Sequence, residues 1–241
     1  MEPEFKAHNF VHGAERIRTI LDQTELEYPT LDSLPTPSAL TFYKGVAATA
    51  AVLFVDIRSS QDLPLLMDSS SVAKLYSAFM GEMVSVCAGE CHCQDVNVVG
   101  DKMWAVFRTP LREDIDRVFY CARVAHSMVI ILNRELQYRE LSPIEVGFGL
   151  AWGDICMNRP LALSPSNGGA VYSGEVINRA ATLASQASLT HADHPLLVDE
   201  AVYQNLDSVN QQWLTWNERS ECWHGNVVDE YINAWTLANY D

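Results

Sequence analysis

Two aspartates in this 241-residue chain sit where a carboxylate needs a chemical reason. Asp56 closes an apolar run, Ala50-Ala51-Val52-Leu53-Phe54-Val55, and is followed by Ile57-Arg58-Ser59-Ser60. Asp101 follows Gly100, between Asp95-Val96-Asn97-Val98-Val99 and Lys102-Met103-Trp104-Ala105-Val106-Phe107. A carboxylate at the edge of a core is costly unless something positive meets it. Either residue alone is explained by turn chemistry, because Asp after a strand and Gly-Asp in a hairpin are both ordinary. As a pair on neighbouring strands they repel, and cations between them resolve the repulsion. The acids are therefore expected to converge, with no standing Arg or Lys partner, and to share divalent ions. That is the arrangement a two-metal phosphoryl-transfer site needs.

The elements that must position these acids follow from periodicity. The first run reads as a buried strand with Asp56 at its exit, and 90–107 as a hairpin turning at Gly100-Asp101. Between them Ser69-Ser70-Ser71 offers N-caps. Val72, Leu75, Tyr76, Phe79, Met80, Met83 and Val84 then form one apolar helix face, and Gly89 ends that helix. Asp114 and Asp116 suit the first turn of a second helix. Val146, Phe148 and Leu150 alternate with Gly147, Gly149 and Ala151 as a further strand. A loop over 158–169, a helix over 174–187, a short strand at Leu196-Leu197-Val198 and a hairpin turn at His224-Gly225-Asn226 follow. The order is α+β: a ferredoxin-like βαββαβ core with both aspartates at one edge of its sheet. Residues 1–49 form an N-terminal helical extension, 50–200 the core domain, and 201–241 a C-terminal β and loop extension packing on it.

Composition narrows the partners. A net charge of −15 disfavours nucleic acids and anionic membrane surfaces. No stretch has the roughly 18 apolar residues of a membrane span, and the charged N-terminus lacks the apolar core of a signal peptide. Six scattered cysteines fit reduced thiols in a cytoplasmic protein. Cys91-His92-Cys93 looks metal-like. On a strand, however, neighbours point to opposite faces, and no second pair at zinc spacing follows, so no zinc site is expected there.

The stretch Val171-Tyr172-Ser173-Gly174-Glu175-Val176-Ile177-Asn178-Arg179-Ala180-Ala181-Thr182-Leu183-Ala184 completes a pattern. With Leu53 to Ile57, Val99 to Phe107 and Gly147 to Gly153, it resembles the class III nucleotidyl cyclases. The resemblance implies a homodimer with composite sites and a nucleoside triphosphate substrate. Asp56, the Ile57 carbonyl and Asp101 of one chain would hold two divalent cations, Mn2+ or Mg2+. Backbone amides around Arg58, Ser59 and Ser60 would cradle the phosphates, and Asn178 of the other chain would orient the ribose. Tyr43 precedes the core and is expected to face the nucleotide. The family Arg at the position of Thr182 is missing, so Arg179 or Arg58 is expected to replace it.

Purine cyclases of this family pair Lys with Asp, or Glu with Cys, to select the base. Here those positions are Asn97 and Val171, so neither purine pair is present. One Asn amide meets part of the pairing edge of uracil. In this the chain is similar to the pyrimidine cyclases of bacterial anti-phage (Pycsar) defence, which implies cyclic UMP or cyclic CMP as product, UTP as the favoured substrate and a separate effector that binds the product. The alternatives are a purine cyclase with an atypical base pocket, and a catalytically silent nucleotide-sensing domain.

Overall fold

In the computed structural model, which describes residues 9–22, 28–40, 45–159, 170–189 and 193–240, the long strand β1 (Val46–Ile57) is the spine of one sheet. It is flanked antiparallel by β3 (Lys102–Arg108) and β4 (Val146–Asn158). Strand β2 (Cys93–Val99) lies outside β3. Beyond β4 come β6 (Leu196–Val198), β8 (Cys222–Gly225) and β7 (Thr215–Asn217), giving the order β2-β3-β1-β4-β6-β8-β7, with β5 (Val171–Ser173) beside β4. The first four strands and their crossover helices are the expected βαββαβ core. The C-terminal hairpin extends the same sheet through β6.

Alternation along β1 divides the core in two. Ala51, Leu53, Val55 and Ile57 pack with Leu63 of the one-turn helix α2 (Leu63–Leu66) and with helices α3 (Ser69–Ala88) and α4 (Glu113–Tyr138). Leu75, Phe79 and Met83 of α3, with Ile115, Val118 and Phe119 of α4, supply the other half of that layer. Ala48, Ala50 and Val52 face the opposite way, onto Val176, Ala180 and Leu183 of α5 (Glu175–Gln186). Helix α1 (Phe10–Leu21) buries no residue, and no helix among the described residues is long and apolar enough to cross a membrane.

Three local details depart from the expectations. Strand β1 includes Asp56 rather than ending before it. The N-cap of α3 is Asp68, whose carboxylate accepts from the amides of Ser70 and Ser71, so the serines lie inside the first turn. A one-residue shift in phase decides which oxygen reaches those amides. The C-terminal hairpin turns within 218–221, while His224 and Gly225 pair with Thr215 of β7 and Leu196 of β6 inside the sheet.

Helix α5 lies unusually close to the sheet. A Cβ built on Gly149 would sit 2.1 Å from the Ala180 carbonyl oxygen and 2.3 Å from the Ala184 nitrogen. On Gly147 it would sit 2.3 Å from the Ala184 carbonyl oxygen. The helix rests directly on two glycines of β4, and this contact fixes where its polar residues project.

Candidate active site

The register of the sheet brings the two acids together. Asp56 stands opposite Lys102 across β1 and β3, and Asp101 is the residue before Lys102 in the β2–β3 turn. Gly100 takes φ +63° at the first turn position, which a glycine-first hairpin turn requires. Asp56, Ile57, Arg58, Ser59, Ser60 and Asp101 all line one cleft of about 300 Å³.

Asp56 does not stand bare in that cleft. It is 7% exposed, and its Oδ2 accepts from Arg58 Nη2 at 2.5 Å and pairs with Lys102 Nζ at 3.2 Å. The expectation of an acid without an Arg or Lys partner is therefore corrected. Both cations follow from local geometry: Arg58 lies two residues along the chain, and Lys102 is the cross-strand partner. Arg58 also donates from Nη1 to the Ser185 carbonyl at 2.6 Å, which ties it to the end of α5, while its Nε is buried with no partner among the described residues. Asp101 Oδ2 accepts from the Ser60 hydroxyl.

Two carboxylates and a hydroxyl facing one cleft form an oxygen donor set of the kind hard cations take. The structure already places two positive groups on Asp56 Oδ2, so the position favours cationic charge. The residues fit, on condition that an incoming ion displaces Arg58 or Lys102 from Asp56. Lys102 is the freer of the two, with its side chain 48% exposed.

The backbone beyond Asp56 differs from the expectation in one respect. The Arg58 amide donates to the Glu145 carbonyl at 2.8 Å and is not available to a phosphate. Ser59 has φ +49°, in the left-handed region, and a 3-10 turn over Ser60–Asp62 follows. A left-handed residue leading into a helical turn is the conformation that gathers successive amides into an anion-binding nest. Tyr76, read from sequence as one member of an apolar stripe, joins this site from α3. Burial and then the Asp101 charge raise its hydroxyl pKa, and Ser60 interacts with the phenol. Its only signal in the sequence was a hydroxyl on an otherwise greasy face.

Asn97 lies on the same face of the sheet as Asp56 but outside the cleft. It stands opposite Trp104, which stands opposite Phe54. The Phe54 and Trp104 rings are stacked at 5.7 Å, and Tyr172 meets Trp104 edge-on at 6.0 Å. The Asn97 Nδ2 is buried without a hydrogen-bond partner among the described residues. An orphaned donor beside a stacked aromatic shelf is a feature that needs explaining. Burial raises the pKa of nearby Asp95.

Asn178 and Thr182 are exposed on the outward side of α5. Asn178 lies about 10 Å along the helix axis from Ser185, which Arg58 touches, and it does not line the Asp56 cleft of its own chain. Arg179 turns the other way and donates to the Glu221 carbonyl at 3.3 Å in the C-terminal hairpin. It lies one turn before Thr182 on α5, and its guanidinium is engaged with that carbonyl. Tyr43 lies outside the described residues.

Asp199, within the field of Arg179, has its pKa pushed up to about 6, chiefly by burial against its helix-capping hydrogen bonds. The folded value lies above the ordinary 3.8. The associated stability is therefore fully present below about 4 and is lost as pH rises through about 6, by on the order of 3 kcal/mol. Asp199→Asn keeps a cap acceptor and removes that loss. Thermal midpoints of the two proteins are expected to diverge in favour of the variant between pH 4 and 7, whereas parallel curves would contradict this account of Asp199.

The family model described as the adenylate and guanylate cyclase catalytic domain matches residues 42–222. A protein of Gulbenkiania mobilis named uridylate cyclase is 27% identical over 99% of this chain and 100% of its own length. A uridylate cyclase of Treponema porcinum is 26% identical over 85% of this chain and 71% of its own length. Among solved structures, the guanylyl cyclase Cya2 superposes with a TM-score of 0.60 at 14% identity, covering 77% of this chain and 95% of that one.

Proposed function

Since the chain belongs to the class III cyclases, the adenylate and guanylate cyclase catalytic-domain family, we propose that it converts a pyrimidine nucleoside triphosphate, UTP in preference to CTP, to the 3′,5′-cyclic monophosphate and pyrophosphate. The observation that carries this reading is the convergence of Asp56 and Asp101 on one cleft. The pyrimidine preference draws on Asn97 at the base-facing position and on the names of the two bacterial relatives.

Asp56, the Ile57 carbonyl and Asp101 would hold two divalent cations, Mn2+ or Mg2+. Such ions, when bound, acidify the ribose 3′-hydroxyl and offset charge on the triphosphate. The 3′-hydroxyl gives its proton to solvent as its oxygen attacks the α-phosphorus, and the bond to the β-phosphate oxygen breaks to release pyrophosphate. The nest at Ser59 and Ser60 receives terminal phosphate oxygens. Arg58 is anchored at the Ser185 carbonyl and supplies positive charge beside them once it leaves Asp56, which favours it over Arg179 as the replacement for the arginine absent at Thr182. Asn97 donates to a pyrimidine carbonyl beside the Trp104 shelf. Asn178 projects outward, which suits a homodimer in which each chain completes the site of the other by orienting the ribose. The product would act as a second messenger in anti-phage defence in the cytoplasm, through a separate cyclic-nucleotide effector.

A second reading is a silent nucleotide-sensing domain, and the pairing of Asp56 with Arg58 and Lys102 favours it. Incubation with equal ATP, GTP, CTP and UTP plus Mn2+, followed by chromatography of the products, separates the two. Cyclic UMP is expected to dominate. A purine product would overturn the base assignment, and no cyclic product from any triphosphate would support the silent reading.

A further inference from the structure

We infer that the turn joining α3 to β2 is a binding site for a zinc-type transition metal, made by Glu90, Cys91 and His92 and separate from the Asp56 cleft. The sequence argues against a metal here because strand neighbours diverge, but residues 90–92 form a turn and β2 begins only at Cys93. In that turn consecutive side chains converge. Glu90 Oε1 lies 3.2 Å from Cys91 Sγ, Cys91 Sγ lies 3.3 Å from His92 Nδ1, and His92 Nδ1 lies 3.1 Å from Glu90 Oε1.

That triangle has the dimensions of one face of a tetrahedral site. Zinc bonded to sulfur, nitrogen and oxygen at ordinary lengths sets its ligands roughly 3.4–3.6 Å apart, so each edge need open by only a few tenths of an ångström. The donor set of thiolate, imidazole and carboxylate suits Zn2+ or Co2+ and not the hard ions of the catalytic cleft. The fourth position faces solvent, since Cys91 is exposed.

The surroundings support this use. His92 Nε2 lies 3.2 Å from Asp114 Oδ1, and the Asp114 carboxylate is 5% exposed. Its other oxygen accepts the Leu111 amide at 2.8 Å, which holds it in place. A histidine that gives its far N–H to a buried carboxylate presents its near nitrogen as a lone pair, the usual second partner of metal-bound histidine. The turn is held from outside as well: the Cys93 amide donates to the Glu90 carbonyl at 2.9 Å, and Arg108 donates to the Cys91 carbonyl at 3.4 Å. The carbonyl end of α3, a 20-residue helix, lies just before the turn and favours a cation. A bound ion would release the Cys91 proton to solvent and join the end of α3, through His92 and Asp114, to the start of α4.

The test is a Co2+ titration of the metal-free full-length protein, read by the near-ultraviolet charge-transfer band that only a thiolate ligand produces. The inference expects saturation at one equivalent per chain, displacement by Zn2+, and a rise in thermal midpoint with Zn2+. Cys91→Ser is expected to lose the band and the thermal shift while retaining Mn2+-supported cyclase activity. Asp114→Asn is expected to weaken Co2+ binding by about 10–100-fold without abolishing it. Should Asp114→Asn fail to fold, His92→Gln replaces it and is expected to lose the band. Asp56→Asn is expected to leave the band unchanged, because the cleft offers oxygen ligands alone. Absence of the band in the unmodified protein, or its survival in Cys91→Ser, would overturn the site and leave the cyclase reading untouched.

Discussion

Asp56→Asn and Asp101→Asn are each expected to cut cyclic nucleotide formation by at least about a thousandfold, with the chain still folded and its oligomeric state unchanged. Asparagine keeps the size of the side chain but removes the charge that divalent ions require. Loss of one metal ligand in a phosphoryl-transfer site removes several kcal/mol of transition-state stabilisation, and each 1.4 kcal/mol is about tenfold in rate. The two variants should differ in stability. Asp56→Asn leaves Arg58 and Lys102 without their shared anion, whereas Asp101→Asn loses only the charge that accepts the Ser60 hydroxyl. Lys102 is half exposed and Arg58 keeps the Ser185 carbonyl, so the cost at Asp56 falls short of that of a fully buried broken pair. Turnover at the normal rate in either variant would remove the two-metal mechanism.

Gly149→Ala should be severely destabilising although it adds one methyl group. The new carbon would lie 2.1 Å from the Ala180 carbonyl oxygen and 2.3 Å from the Ala184 nitrogen, and both are backbone atoms of α5. No rotamer change relieves a clash with backbone, so the helix must lift from β4. Overpacking of this kind costs about 3 kcal/mol or more, a fall in thermal midpoint on the order of 10 °C for a chain of this size. Asn178 rides on the same helix, so activity falls with it. Gly81 is the contrast. A Cβ there meets nothing within 4 Å, it lies inside α3, and alanine should stabilise the protein by up to about 1 kcal/mol. If Gly149→Ala melts with the unmodified protein, α5 does not rest on β4 as described.

Much of the core was legible because its signals are periodic. The run into Asp56, the Gly100-Asp101 hairpin and the alternation through Gly147 and Gly149 each fixed a strand and a face. Once β1 and β3 were neighbours, Asp56 and Asp101 had to meet. The partners of Asp56 were not legible in the same way. Lys102 becomes its partner only when the cross-strand register is known. Arg58 read as a phosphate-facing residue because nothing in sequence showed that α5 ends over it at Ser185. Tyr76 is hidden because its ring belongs to the apolar stripe while its hydroxyl meets Ser60 and Asp101 beside the cleft. The cap at Asp68 and the turn at 218–221 were missed by a shift of phase, which composition does not resolve. Strand geometry does not describe Cys91 and His92, because the strand begins only at Cys93.

The cluster at Glu90 and the cleft at Asp56 divide the chemistry of the chain. One offers sulfur and nitrogen at a turn braced by Asp114; the other offers oxygen at the mouth of a sheet, guarded by its own cations. The guarding has a functional consequence. Arg58 and Lys102 hold the charge of Asp56, so on the proposed two-metal reading metal entry and release of these side chains would be coupled. On that reading an arriving triphosphate would supply the anion that the released cations need.

A Mn2+ titration in the presence of a UTP analogue that cannot cyclise is the most direct measurement. The account expects two ions per nucleotide site in the unmodified protein and weakened binding of both in Asp56→Asn and Asp101→Asn. A single ion that accompanies the triphosphate, bound equally well by all three proteins, would contradict it.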